Sequence, residues 1–339
     1  MTPGISHMDG EAGSSPPAVP LPDLVRVLQQ LFLSRALTRA VPEHGLRAWP
    51  VPRSSAVPLA EGILDAAAVC AATMMRAPSR EHGGGSSEFL ATSPHLPGGA
   101  LARGVTAQRW LAGAVGPPVP GSDPAPPWGP IPSLGLPGPF PFPGIAVQVL
   151  AGMTLPQQDP DGSPGTLHWP AVGVVVAHRS ALTSGAVHEG FNLAAVRRSA
   201  LVLVLGSTED GPPGEGSPPR PELDDVAEAY GVRAVRASAL DIPILLGELG
   251  RGLASVRRGE GPLLMEVDAR PGEDGIRDPL TVLRDRVIRA READAATVAE
   301  LEEDARLELD EAIRRISNPT SGYIGGTGPA SPPPEGASP

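Results

Sequence analysis

The polar residues best placed to do chemistry follow two apolar runs. Val172-Gly173-Val174-Val175-Val176-Ala177 leads into His178-Arg179-Ser180-Ala181-Leu182-Thr183-Ser184-Gly185, and Leu201-Val202-Leu203-Val204-Leu205 leads into Gly206-Ser207-Thr208-Glu209-Asp210. Runs of this kind read as buried strands, and in an open parallel sheet ligands bind outside the carboxyl ends of the strands. Neither loop is a Gly-rich phosphate cradle, and neither begins with a metal-binding carboxylate. Arg179 has the bidentate fork that grips phosphate, yet no second cation adjoins it in sequence to neutralise the rest of a diphosphate. Ser180, Ser207 and Thr208 offer hydroxyls, which are weak ligands for a hard cation. His188-Glu189 lacks the second histidine of a zinc helix, and His168, His178 and His188 are too widely spaced to share a metal. The lone Cys70, inside the apolar run 66–72, excludes an intramolecular disulfide or a cysteine metal cluster and reads as a small core residue.

The elements that must position those loops alternate along the second half of the chain. The pattern predicts strands at 172–177, 201–205, 232–235 and 263–267, separated by helices over 184–197, 221–230 and 241–257. Fully apolar strands alternating with helices imply an α/β fold, a parallel sheet covered by helices on both faces. Ahead of it, helices are predicted over 21–40 (Pro22 and Asp23 suiting its start), 58–75 and 105–114, with 79–99 irregular. Proline blocks helix propagation and removes donors, so the Pro-rich stretch 117–143 predicts an extended loop. An amphipathic helical region follows at 279–315, and its acidic run 300–304 reads as a solvated helix face. Residues 1–20 and 317–339 read as disordered ends around a single domain at 21–316.

With 339 residues there is ample chain for a large core, and because aromatics make up only 3% that core must be built from Leu, Val, Ile and Ala. The net charge of -11 argues against nucleic acid or an anionic membrane surface as partner. All the basic residues other than histidine are arginines. Without a signal-peptide layout or an apolar stretch of spanning length, the expected location is the cytoplasm.

Five stretches, in order, resemble the α subunit of the thiamine-diphosphate-dependent 2-oxo acid dehydrogenases, the decarboxylating components of the pyruvate and branched-chain complexes. They are His95-Leu96-Pro97-Gly98-Gly99-Ala100-Leu101-Ala102-Arg103-Gly104-Val105, Val187-His188-Glu189-Gly190-Phe191-Asn192-Leu193-Ala194-Ala195-Val196, Ala227-Glu228-Ala229-Tyr230-Gly231-Val232, Arg258-Gly259-Glu260-Gly261-Pro262-Leu263-Leu264-Met265-Glu266 and Asp278-Pro279-Leu280-Thr281-Val282-Leu283-Arg284. The resemblance spans 21–315 and implies that family's thiamine-diphosphate-binding fold, with the cofactor between α and β chains. It also implies that the helix bearing His188, Glu189 and Asn192 faces a partner, either a β-type subunit or, in a homo-oligomer, another copy.

The departures fall on the site itself. The family holds magnesium with Gly-Asp-Gly after the first strand and with an Asn of an Asn-Asn pair after the second. Here those positions are His178-Arg179-Ser180 and Ser207-Thr208, so a cation replaces the metal-binding carboxylate. The family's diphosphate-contacting Tyr-Arg pair maps near Pro94 and His95, and its later His-bearing loop is shortened to 268–274 without histidine. Arg179, Ser180, Ser207 and Thr208 are therefore vestigial cofactor positions, with no catalytic residue and no metal ligand expected. The resemblance implies a pseudoenzyme: a non-catalytic structural or regulatory α-type subunit. Two alternatives stand beside it: an active oxidoreductase α component that binds thiamine diphosphate and magnesium through unorthodox ligands, and a free-standing interaction scaffold.

Overall fold

The computed structural model describes residues 21–43, 57–77, 87–93, 96–115, 129–138, 140, 142–158, 167–168, 171–207, 222–269 and 277–317. Its centre is a five-stranded, all-parallel sheet built from β1 (Glu88–Ala91), β4 (Val172–His178), β5 (Leu201–Ser207), β6 (Arg233–Ser238) and β7 (Leu263–Asp268), in the order β1-β4-β5-β7-β6. A separate two-stranded antiparallel ladder pairs β2 (Gln157–Gln158) with β3 (Leu167–His168). β4, β5 and β7 are buried almost throughout, as strands covered on both faces must be. β6, at one edge, carries Arg233 and Arg236 outward, which blunts pairing with another chain.

Side-chain alternation along the strands divides the core in two. Val174, Val176, Val202, Val204, Met265 and Val267 face α1 (Leu21–Glu43), α2 (Val57–Met74), α3 (Pro97–Ala102), α4 (Ala107–Val115), α8 (Ile242–Arg257), α9 (Pro279–Arg289) and α10 (Ala295–Ser317). Val175, Ala177, Leu201, Leu203, Leu205 and Leu264 face α5 (Pro143–Met153), α6 (Gly185–Arg197) and α7 (Leu223–Tyr230). Cys70 is fully buried in the first cluster. Asp241 and Asp278 accept hydrogen bonds from Ile244 N–H and Thr281 N–H and so cap α8 and α9, each with Pro in the first turn.

The α/β architecture and the four expected strands follow the sequence pattern, with ends shifted by a few residues, although β6 is a half-exposed edge strand carrying two arginines and not a fully apolar one. Two segments correct it. The stretch 79–99, expected to be irregular, contains the edge strand β1 and the start of α3. β1 is too short for a periodicity, and its first residue, Glu88, is a buried carboxylate that masks the apolar signal. α5 begins inside the expected Pro-rich loop, because Pro143 sits at the first helical turn, where its missing N–H is no loss. Of the rest of 117–143, the described part holds a short 3-10 turn, Pro132–Leu134, between bridged Ile131 and Leu136. The expected disordered ends, 1–20 and 317–339, lie outside the described residues except for Ser317, which ends α10. No described helix is long and apolar enough to cross a membrane.

Candidate functional site

Because the strands are parallel, β4, β5 and β7 end at one edge of the sheet, with His178 opposite Gly206 and, one residue further on, Ser207 opposite Asp268. Arg179 opens a 3-10 turn, Arg179–Thr183, directly after β4. On the face covered by α5–α7, Arg179 Nη1 reaches across β5 to Glu266 Oε1 on β7, 2.7 Å away, with only 17% and 8% of the two side chains exposed. Arg179 Nη2 lies 3.7 Å from Glu222 Oε2, the residue before α7. The other oxygen of Glu266 is 3.4 Å from Arg236 Nε on β6, and Arg236 also holds Asp224 of α7 through two 3.0 Å contacts. That bond to Asp224 raises the Arg236 guanidinium above its ordinary range. Arg179, Glu266, Arg236 and Asp224 thus alternate in sign along the edge of the sheet, each charge met by its neighbour.

The hydroxyls are engaged or enclosed. His178 Nδ1 accepts the Ser180 N–H at 3.1 Å and also the Ser180 hydroxyl at 2.8 Å, so this pair caps the 3-10 turn instead of facing a ligand. Ser207 is buried at the end of β5. Thr208, Pro94, His95 and residues 270–274 lie outside the described residues. Leu182 is buried against α6.

His188 points inward from α6. Its Nε2–H donates to Leu182 O at 2.6 Å, which leaves Nδ1 to accept the Tyr230 hydroxyl at 2.5 Å. Phe191 packs edge-on against Tyr230 with ring centroids 5.6 Å apart. Partial burial and the Glu189 charge raise the Tyr230 phenol above its usual range. His188 therefore ties α6 to α7, while Glu189 and Asn192 lie exposed on the outer side of α6.

A hard cation bound to a diphosphate needs free oxygen ligands. The strand ends instead present a guanidinium, an occupied hydroxyl and a carboxylate already spanned by two arginines. Among the described residues no group of three His, Cys, Asp or Glu could hold a metal ion. The residues present do not fit magnesium diphosphate.

Structural roles that the sequence reading did not single out fall to two charged residues at the opposite end of β1. Arg257 of α8 grips buried Glu88 through both carboxylate oxygens at 2.8 and 2.9 Å. Arg103, in the first family-like stretch, is buried and donates to Leu134 O and Arg76 O. A cleft of about 610 Å³ between α1, α9 and α10 has charged walls paired with one another, as Arg35 with Asp278 and Arg306 with Glu303. No protein-family model matches this sequence, and no curated protein matches it either.

Proposed function

We propose that the chain is a non-catalytic subunit with a thiamine-diphosphate-type fold, related to the α component of 2-oxo acid dehydrogenases and retained for assembly or regulation. The observation that carries this reading is the Arg179–Glu266 pair. Glu266 lies in a stretch that resembles the family, whereas Arg179 stands at the family's metal-binding position with the opposite charge. A free guanidinium there would attract phosphate. One neutralised by a buried carboxylate has little net charge left to offer, and freeing it would strand Glu266. Arg179, Ser180 and Ser207 accordingly close the edge of the sheet. Thr208, the fourth vestigial position, is assigned with them on the resemblance alone. The retained α6 supports an assembly role, with a β-type chain or a second copy as partner.

Calorimetric titration of thiamine diphosphate with magnesium into the purified chain tests the reading, with and without a β-type subunit. No binding at millimolar cofactor is the expected result. Tight binding that Arg179→Ala abolishes would show a site rebuilt around the guanidinium and overturn the proposal.

A further inference from the structure

α5 and α6 lie side by side over the sheet because glycines let them touch. A Cβ on Gly144 would meet Ala186 Cβ at 2.5 Å, and one on Gly190 would meet Gln148 N at 2.9 Å. Their outer sides carry large apolar residues on one helical face each. On α5 these are Phe142, Ile145, Val149 and Met153, spaced three, four and four residues apart, and on α6 they are Leu193 and Val196. Phe142 is 66% exposed and Val196 71%, so this is a connected apolar face and not one scattered residue. α5 contains no charged residue although one side of it meets solvent.

The charges that flank this face decide what covers it. On α6, Glu189 and Arg197 stand four residues before and four after Leu193. Neither has an ion-pair or hydrogen-bond partner among the described residues, and both are exposed. At about 1.5 Å per residue each charge lies about 6 Å from Leu193 along the helix. We propose that the α5–α6 face is an isologous interface that binds a second copy of this chain. A two-fold axis level with Leu193 sets α6 antiparallel to its copy. It brings Glu189 opposite the copy's Arg197 and Arg197 opposite the copy's Glu189, two ion pairs made by one symmetry operation. The same axis sets α5 against α5. The contacts of Gly144 with Ala186 and of Gln148 with Gly190 place Leu193 level with Ala151. Ala151 lies midway between Val149 and Met153, so those two meet across the axis. A heterologous partner would have no reason to match charges arranged symmetrically about Leu193. The inference rests on these two helices and stands apart from the loss of the cofactor site.

Sedimentation equilibrium of the full chain, from about 1 to about 100 µM, tests it. The wild type is expected to dimerise. Glu189→Arg and Arg197→Glu each place like charges opposite one another twice and are expected to weaken the dimer about tenfold or more. The double variant Glu189→Arg/Arg197→Glu restores both pairs with their signs exchanged and is expected to recover affinity to within about threefold. Leu193→Asp is expected to leave a folded monomer, since surface changes seldom disturb folding. The proposal is overturned by a wild type that stays monomeric across this range, by a double variant as weak as the singles, or by a dimer that survives Leu193→Asp. Failure here with cofactor binding still absent would leave the non-catalytic reading standing. Binding of thiamine diphosphate to a Leu193→Asp monomer would remove that reading alone.

Discussion

Removing the Glu266 carboxylate tests whether Arg179 is an internal cation or a free anion hook. In Glu266→Ala the buried guanidinium loses its 2.7 Å partner, while Glu222, 3.7 Å away, is itself 72% exposed. Breaking a buried pair by deleting one partner costs about 3–5 kcal/mol. Glu222 remains for Arg179 and Asp224 for Arg236, both in water-screened positions, so the loss should fall near the low end, about 3 kcal/mol. At this chain length that corresponds to a fall of roughly 4 °C in thermal midpoint. Arg179→Met should lose less, about 2 kcal/mol, because Glu266 still has Arg236. The double variant Arg179→Met/Glu266→Leu replaces both partners with apolar groups of similar size and should regain about 2 kcal/mol relative to the sum of the singles. The assay is thermal and urea unfolding followed by circular dichroism. The reasoning is refuted if Glu266→Ala shifts the midpoint by less than about 1 °C, or if the single-variant losses simply add. Either result would mean that Arg179 is not held by Glu266 and is available to an anion.

Asp65 of α2 accepts the Gly98 N–H at 2.9 Å, and burial pushes its carboxyl up to about 6 against the opposing pull of that bond and of Arg35. A carboxyl raised on folding makes the folded state bind more protons than the unfolded one, so its contribution falls as pH rises from about 4 to about 6, by up to about 1.4 kcal/mol per pH unit. Asp65→Asn should remove that slope from the stability difference and raise the midpoint at pH 8, and equal slopes in variant and wild type would refute the assignment. Gly190→Val should destabilise by about 2 kcal/mol or more, since its Cβ would press on the Gln148 backbone nitrogen, and an unchanged urea midpoint would contradict the close α5–α6 approach. The Cys70 thiol, raised by complete burial, should resist a thiol reagent in buffer and react fully in denaturant. Rapid native labelling would show that α2 opens.

β4, β5 and β7 were legible because buried parallel strands carry an uninterrupted apolar signal, and the helices between strands because Asp241 and Gly231 mark ends in their usual chemistry. β1 and α5 were hidden for opposite reasons. β1 begins with an acid whose burial depends on Arg257, a residue of a distant helix, and no local pattern can announce such a partner. α5 begins with Pro143 after a run of prolines, so a helix start looked like more loop. At the site, a cation at the end of β4 could be read directly as Arg179, but its neutralisation could not. Glu266 is 87 positions away in the chain and meets Arg179 only because β5 lies between their strands, placing both side chains on one face. The inward turn of His188 was likewise invisible, because it depends on Tyr230 lying beneath α6.

The same topology explains how an arginine can stand half-buried at a strand end. A cation there must be solvated, bind an anion, or find a carboxylate within reach. β7 supplies Glu266 two strands away, on the same face and two residues before the end of β7, so the guanidinium reaches it. Arg236, on the far side of β7, then prevents Glu266 from being drawn wholly toward Arg179. Replacing Arg179 by Asp would therefore not create a metal site. It would set two carboxylates against each other with only Arg236 between them, and magnesium would meet Glu266 and a loop already capped by His178. An Arg179→Asp variant that bound magnesium tightly would require Glu266 to move away from its arginine, so Arg236→Ala is the companion change that separates the two effects. If the edge is closed by its charges, Arg179→Asp alone destabilises the fold and binds no metal, and only the pair of changes opens the strand ends.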